Sequence, residues 1–215
     1  ALHRLAKQKE PFMATLLSIS NHPPYIIPDW FHPDAGEKEQ QIVEYADDAL
    51  RIFFKQASAQ PWYGHTVFVL LGDHGKLTGS SESEMPDCLN HIPLIIHAPG
   101  MSPGEVTSWG MQMDVQPTLL SLLGITARQE NFGQNLLRHP RSMALYTADN
   151  VIGARADGHL YICEPATGTE WMYLTAADGR QTPQERPDST FLRMRQTLFS
   201  TLQTAQEEIR KHERE

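Results

Sequence analysis

Short apolar runs alternate with polar segments in the first half of this chain. Such runs occupy positions 12–18, 66–71 and 92–98, and each stops at residues that favour turns. A short continuous apolar run bounded by turn residues is typical of a buried strand. We therefore expect three strands here, the second of which ends at Gly72.

Between the first two runs, the apolar residues change to a spacing of three and four. From 39 to 60 they fall on one face of a helix, and charged side chains fall on the other. A helix followed by a strand is half of a βαβ unit, which favours a mainly parallel sheet flanked by helices. A second helix is expected over 115–123, with Asp114 as its N-cap and Gly124 as its stop.

The pattern changes again after Gly133. Alternating segments follow at 142–147, 151–156 and 159–164, separated by Asp149-Asn150 and by Asp157-Gly158. These dipeptides favour hairpin turns, so a small antiparallel meander is expected.

The last stretch, 189–211, carries an apolar stripe at helical spacing and predicts a terminal helix. The chain is thus expected to have an α/β fold. Its core would cover 1–135, and the antiparallel lobe with the terminal helix would cover 136–215 of the same domain.

Composition narrows the classes of partner. The chain has 215 residues and a formal net charge of −8, without the clustered Lys and Arg that nucleic-acid binding needs. We therefore expect no nucleic-acid partner. Cys88 and Cys163 are too few to indicate a disulfide framework, and they leave the redox compartment open.

The amino-terminal residues indicate a fragment. Positions 1–10 resemble the last turns of an amphipathic helix, and there is no initiator methionine. No apolar stretch approaches the roughly 20 residues that cross a bilayer. Any membrane anchor is therefore expected upstream of this chain.

The strongest candidate for chemistry is the pair Asp73 and His74, which follows the second apolar run between two glycines. Ligands of open α/β sheets gather beyond the carboxyl ends of the strands. A carboxylate oxygen beside an imidazole nitrogen suits a divalent cation. The alternative is a simple turn in which the aspartate caps the backbone and the histidine is solvated.

His22 is the second candidate, because it lies just beyond the first predicted strand. Its side chain could bind a phosphate or hydroxyl group, or act as an acid or base. The alternative is a loop histidine that donates to a backbone carbonyl. His91 precedes a strand rather than following one, so a surface role is favoured and its function stays open.

A set of motifs in fixed order resembles the lipoteichoic acid synthase family, the phosphoglycerol-transferase branch of the sulfatase and alkaline phosphatase superfamily. The resemblance covers about residues 1–135 and is loose beyond them. It is carried by Pro11-Phe12, 17–25, 45–50, Pro61-Trp62-Tyr63, Gly72-Asp73-His74-Gly75, 92–96, Ala98-Pro99-Gly100 and 113–118.

The resemblance implies an enzyme on the extracytoplasmic face of the bacterial cytoplasmic membrane, attached through a missing N-terminal region. It would transfer glycerol-phosphate from a phosphatidylglycerol-type lipid to a cell-envelope glycan or polymer. The resemblance implies one divalent ion, with Mn²⁺ as the favoured metal and Zn²⁺ or Mg²⁺ as alternatives. Asp73 and His74 match the family's metal-ligand pair, and His22 matches its substrate-binding histidine.

The family's nucleophilic threonine and its glutamate ligand would lie upstream, so this chain alone is expected to be inactive. One alternative is a phosphodiesterase, phosphatase or sulfatase on the same scaffold. Another is a non-catalytic domain that binds polymer or lipid headgroups. The segment from Cys163 to Thr167 resembles the sulfatase Cys-x-Pro-x-Arg motif, but Thr167 replaces the arginine, so it is interpreted as a hairpin end.

Overall fold

A computed structural model describes residues 1–76, 83–156 and 158–213. The helices are α1 (Leu2–Leu5), α2 (Lys38–Ala57), α3 (Asp87–Asn90), α4 (Val115–Leu122) and α5 (Ser189–His212). The strands are β1 (Phe68–Leu71), β2 (Leu94–His97), β3 (Met143–Ala148), β4 (Val151–Ala156), β5 (His159–Glu164), β6 (Thr169–Thr175) and β7 (Gln181–Pro183). These elements confirm the α/β class, the antiparallel lobe and the terminal helix.

The chain divides into two compact units. The first comprises Ala1–Leu70 with Ile95–Ser102, and the second comprises Leu71–Leu94 with Pro103–Glu215. Within the described residues, no helix combines the length and apolarity needed to span a bilayer. The polar stretch that follows the Asp73-His74 pair includes positions 77–82, which lie outside the described residues.

Aromatic side chains hold the first unit together. Strand β1 pairs with β2 in a two-stranded sheet. Phe68 of β1 lies 5.1 Å from Phe54 of α2 and 6.1 Å from His97 of β2, measured between ring centroids. On the inner side of α2, Ile42 and Ala57 are fully buried. The predicted helix and the second and third predicted strands are therefore confirmed, with bounds shifted by at most three residues.

The predicted first strand is wrong. Residues 12–18 have no regular secondary structure, and the side chains of Met13 and Leu17 are 90% and 82% exposed. Only Phe12 packs, edge-on to Trp62 at 6.2 Å. An apolar run becomes a strand only when a neighbouring strand satisfies its backbone groups. Within the described parts of the chain, no strand pairs with this run.

The second unit is built on a five-stranded antiparallel sheet in the order β3-β4-β5-β6-β7. The first hairpin turns at Asp149, whose φ of 49° is the left-handed conformation that Asp and Asn tolerate. The three strands expected from the alternation are confirmed. Strands β6 and β7 extend the meander beyond the segments that the pattern indicated.

Helix α5 covers one face of this sheet. Its residues Phe191, Met194 and Leu198 are buried against a cluster from the strands that includes Ala154 and Tyr161. Burial of each large side chain contributes about 1.5–3 kcal/mol. The carboxylate of Asp188 caps the helix by accepting from the backbone N–H groups of Thr190 and Phe191, which fixes where α5 begins.

Asp114 occupies the N-cap position of α4 as expected, but the expectation that its carboxylate caps the helix is wrong. Its fully buried carboxylate makes no cap hydrogen bond to that helix. It accepts instead from the backbone N–H groups of Met111 and Gln134 at 2.8 and 2.7 Å, and from Arg141 at 2.7 Å (Nε) and 2.5 Å (Nη2). A buried carboxylate needs a charged partner and several donors, which a helix end alone does not supply.

Candidate metal centre

Asp73 and His74 lie in a turn directly after β1, and glycine makes that turn possible. A Cβ atom on Gly75 would lie 1.9 Å from the backbone oxygen of Cys88. The Gly75 N–H donates to the carbonyl of Leu89 at 2.9 Å. Only glycine allows this close backbone approach, which seats the turn against the segment around α3.

Gln112 holds the same turn from a second side. Its side-chain Nε2 donates to the backbone oxygen of Asp73 at 2.8 Å and to that of Gly72 at 3.2 Å. Gln112 opens the short 3₁₀ turn Gln112–Asp114. The turn that carries the candidate ligands is therefore positioned by backbone contacts and by a side chain about 40 residues downstream.

The two candidate ligand atoms lie close together. His74 Nε2 and Asp73 Oδ2 are 3.9 Å apart, and their side chains are 73% and 78% exposed. Metal–nitrogen and metal–oxygen bonds of about 2.0–2.2 Å each would allow one ion to touch both atoms. The two atoms are therefore close enough for one ion to contact both.

Hydrogen bonds prepare both side chains for this role. His74 Nδ1 lies 2.7 Å from the carbonyl oxygen of Gly75. A carbonyl only accepts, so Nδ1 carries the proton and the lone pair of neutral His74 is at Nε2. The backbone N–H of His74 donates to Asp73 Oδ1 at 2.9 Å, and this bond lowers the pKa of the Asp73 carboxyl below its usual value. Asp73 is therefore ionised at neutral pH.

The two donor atoms could fill part of the coordination shell of a divalent cation. Asp73 supplies an oxygen and His74 a nitrogen, a combination that suits Mn²⁺ or Zn²⁺. Among the residues that the structure describes, no group of three His, Cys, Asp or Glu side chains is arranged to hold a metal. The metal-ligand role of this pair stays a prediction.

His22 lies in the first unit, at an exposed turn closed by its own N–H donating to the carbonyl of Ile19 at 3.2 Å. Its Nδ1 lies 2.8 Å from the backbone oxygen of Pro23. A hydrogen bond of this kind is what the alternative interpretation, a loop histidine that donates to a backbone carbonyl, expects. That bond again puts the proton on Nδ1 and leaves Nε2 as an acceptor. The substrate-binding role of His22 stays a prediction.

Cys163 and His91, which the sequence also singled out, lie in different environments. Cys163 is buried in the core, and burial raises the pKa of its thiol, so it is protonated at neutral pH. It is the penultimate residue of β5, beside the hairpin that joins β5 to β6, which agrees with its interpretation as part of a hairpin end. His91 is exposed and its backbone N–H donates to the carbonyl of Asp87, while its function stays open.

Sequence reasoning missed Gln112, and it placed Asp114 correctly at the start of α4 but assigned its carboxylate the wrong hydrogen-bond partners. Both residues belong to the segment that supports the candidate centre. The motif 113–118 had marked this region through the family resemblance. Its spacing gave no sign that Gln112 reaches back to Asp73, because this contact joins distant parts of the chain.

Comparison with known protein families shows which family this chain belongs to. The family model described as Sulfatase matches residues 1–125, more than half of the chain. The chain belongs to the sulfatase family. This sulfatase-family chain has a fold similar to that of a crystallised alkaline phosphatase superfamily protein from Vibrio parahaemolyticus, with a TM-score of 0.80 and 24% identity. The match covers 96% of this chain and 52% of that protein.

Curated relatives of this sulfatase-family chain include several lipoteichoic acid synthases. Lipoteichoic acid synthase 1 of Bacillus subtilis is 29% identical, with 70% of this chain and 27% of the relative covered. Lipoteichoic acid synthase-like YvgJ of the same species is 27% identical, with 65% and 27% covered. Lipoteichoic acid synthase of Staphylococcus aureus is 28% identical, with 61% and 24% covered. The chain thus spans about a quarter of the length of these relatives.

Proposed function

We propose that this chain forms part of a metal-dependent phosphoglycerol transferase. The reaction would move glycerol-phosphate from a phosphatidylglycerol-type lipid to a cell-envelope glycan or polymer, on the extracytoplasmic face of the bacterial cytoplasmic membrane. The similarity to lipoteichoic acid synthases supports this class of reaction. The observation that carries the proposal is the 3.9 Å spacing of Asp73 Oδ2 and His74 Nε2 on a sulfatase-family chain.

In this proposal Asp73 and His74 hold one divalent ion. Mn²⁺ is the favoured metal, and Zn²⁺ or Mg²⁺ are alternatives. When bound, such an ion neutralises phosphodiester oxygens and lowers the pKa of a nucleophile. Asp73 would contribute a carboxylate and His74 the lone pair of Nε2. Gln112 would keep the turn that presents both side chains in place.

His22 would bind the glycerol-phosphate group through Nε2, while Nδ1 remains fixed by the carbonyl of Pro23. Protonation at Nε2 would add a charge-assisted hydrogen bond to a phosphate oxygen. The proposal assigns the nucleophile and the other metal ligands to sequence that this chain does not span. The chain alone would then bind metal weakly and would not turn over substrate.

The test is a transfer assay on the longest polypeptide that carries this sequence, with a phosphatidylglycerol labelled in its acyl chain. Conversion to labelled diacylglycerol is followed by thin-layer chromatography. Asp73→Ala and His74→Ala should each lower the rate by at least about a hundredfold, above the loss typical of an outer-shell partner. The matched control is His139→Ala, an exposed histidine outside the candidate centre.

Near-normal transfer by either the Asp73 or the His74 variant would contradict the metal-centre assignment. Activity on the chain of 215 residues by itself would contradict the assignment of the nucleophile to other sequence. Because transfer and hydrolysis both leave diacylglycerol, the fate of the headgroup is measured as well: release of free glycerol phosphate without attachment to an acceptor would favour a phosphodiesterase on the same scaffold.

A further inference from the structure

The second unit contains an open cavity of about 440 Å³, which nothing in the proposed reaction uses. Four parts of the chain form its wall: the loop before the 3₁₀ turn, the two residues before β3, the end of β4 and the start of α5. Its polar and aromatic lining includes Ser108, Trp109, Arg141, Ser142, Thr190 and Arg193. A cavity of this volume accommodates a small-molecule ligand.

The elements around the cavity are fixed in relation to each other. Trp109 and Arg141 form an isolated antiparallel bridge, so the loop and the approach to β3 are joined through the backbone. Arg155 lies over the Trp109 ring, with its Cζ 5.6 Å from the ring centroid. The cap at Asp188 fixes the start of α5, where Thr190 lies in the first turn and Arg193 in the second. The wall is therefore preformed.

The charges of the lining residues favour an anion. Arg193 is exposed, and within the described chain no ion pair involves its guanidinium. Arg141 uses Nε and Nη2 for Asp114 and for the carbonyl of Phe132. None of these described contacts uses its Nη1 group. Among the residues that the structure describes, none of those lining the cavity is acidic.

Nearby carboxylates already have partners. Asp114 is bound by Arg141, and Asp87 is bound by Arg155 at 3.2 Å. Asp188 accepts from the first turn of α5 and lies 3.0 Å from His159 Nε2. No described carboxylate pairs with Arg193, so its guanidinium is available to a ligand, and the hydroxyl groups of Ser142 and Thr190 add hydrogen-bonding capacity.

We propose that this cavity binds a phosphoester anion bearing hydroxyl groups, such as a polyol phosphate, through Arg193 and the Nη1 group of Arg141. Guanidinium groups bind phosphate oxygens with charge-assisted hydrogen bonds, so the cavity is expected to prefer a phosphoester over an uncharged polyol. The residues that line this cavity do not include Asp73 or His74. The segment 109–114 links the cavity to that pair. Trp109 in this segment lines the cavity, and Gln112 forms the Gln112 clamp, the two hydrogen bonds from its side chain to the backbone oxygens of Gly72 and Asp73.

Direct binding to the chain of 215 residues tests this proposal without any transfer reaction. Glycerol phosphate is titrated by isothermal calorimetry at low salt in the presence of a chelator, with glycerol as the uncharged control. Arg193→Gln should weaken binding about tenfold, as expected for one hydrogen bond to a charged group. Arg193→Glu should abolish it. The matched control is Arg210→Gln, which changes an exposed arginine near the far end of α5.

Separate arms identify the source of the phosphoester. Soluble poly(glycerol phosphate) is compared with vesicles of phosphatidylcholine that contain or lack phosphatidylglycerol, and binding to either source should depend on Arg193. Unchanged affinity in Arg193→Gln, or equal binding of glycerol and glycerol phosphate, would overturn the proposal. Loss of binding in Asp73→Asn with full binding in Arg193→Gln would also overturn it, because the anion would then occupy the candidate metal centre.

Discussion

Gln112 donates its side-chain amide to the backbone carbonyl of Asp73 at 2.8 Å, although the two residues are 39 positions apart. The bond anchors the turn that presents the candidate ligands without occupying their side chains. Gln112 is therefore a positioning residue for the proposed metal centre. This relationship leads to the first prediction.

Gln112→Leu should weaken Mn²⁺ binding about two- to tenfold, because a net hydrogen bond contributes about 0.5–1.5 kcal/mol. The affinity can be measured by titration with electron paramagnetic resonance of free Mn²⁺. Gln203→Leu, at an exposed site on α5, serves as the control and should leave the affinity unchanged. Equal affinities for the Gln112 variant and the parent protein would mean that the clamp does not act on the ligands.

Gly75→Ala should destabilise the second unit, because the new Cβ would lie 1.9 Å from the backbone oxygen of Cys88. Relief requires backbone movement, and overpacking of this kind costs about 1–3 kcal/mol. The free energy of unfolding by urea measures the effect. Gly104→Ala is the matched control, since its Cβ would meet nothing within 4 Å. A Gly75 variant as stable as this control would contradict the close approach.

Asp114→Ala should lower the free energy of unfolding by about 3–5 kcal/mol, the cost of breaking a buried ion pair. The change leaves the guanidinium of Arg141, only 11% exposed, without its carboxylate. Asp47→Ala, on the exposed face of α2, is the control. A double-mutant cycle with Arg141→Met measures the coupling, and additive effects would show that the two side chains act independently.

The cap of α5 should weaken in acid. The N–H of Phe191 and the side chain of His159 lower the pKa of the Asp188 carboxyl in the folded chain. A lowered folded pKa means that this stabilisation is present above the ordinary aspartate pKa and is lost as the pH falls through the folded value. Urea unfolding of the parent protein and of Asp188→Asn between neutral and acidic pH checks this. The parent should lose more stability than the variant, and parallel profiles would contradict the assignment.

Local pattern was sufficient to predict most elements. The helical spacing over 39–60 and 189–211 predicted α2 and α5 because an apolar stripe can be buried in only one way. The turn at Asp149 was predicted from residues that adopt the left-handed conformation. The pair Asp73-His74 was found because a strand followed by glycine-flanked ligand residues is visible over a few positions.

Tertiary structure alone decided the rest. Residues 12–18 carry a strand-like pattern, but the run has no strand beside it in the described chain and remains exposed. Asp114 has the sequence of a cap, but burial beside Arg141 gives its carboxylate a different set of donors. The Gln112 clamp and the cavity at Arg193 join segments that are far apart along the chain. Sequence determines which residues can form an element or bind a ligand, whereas long-range packing selects the partners that satisfy their backbone and charged groups.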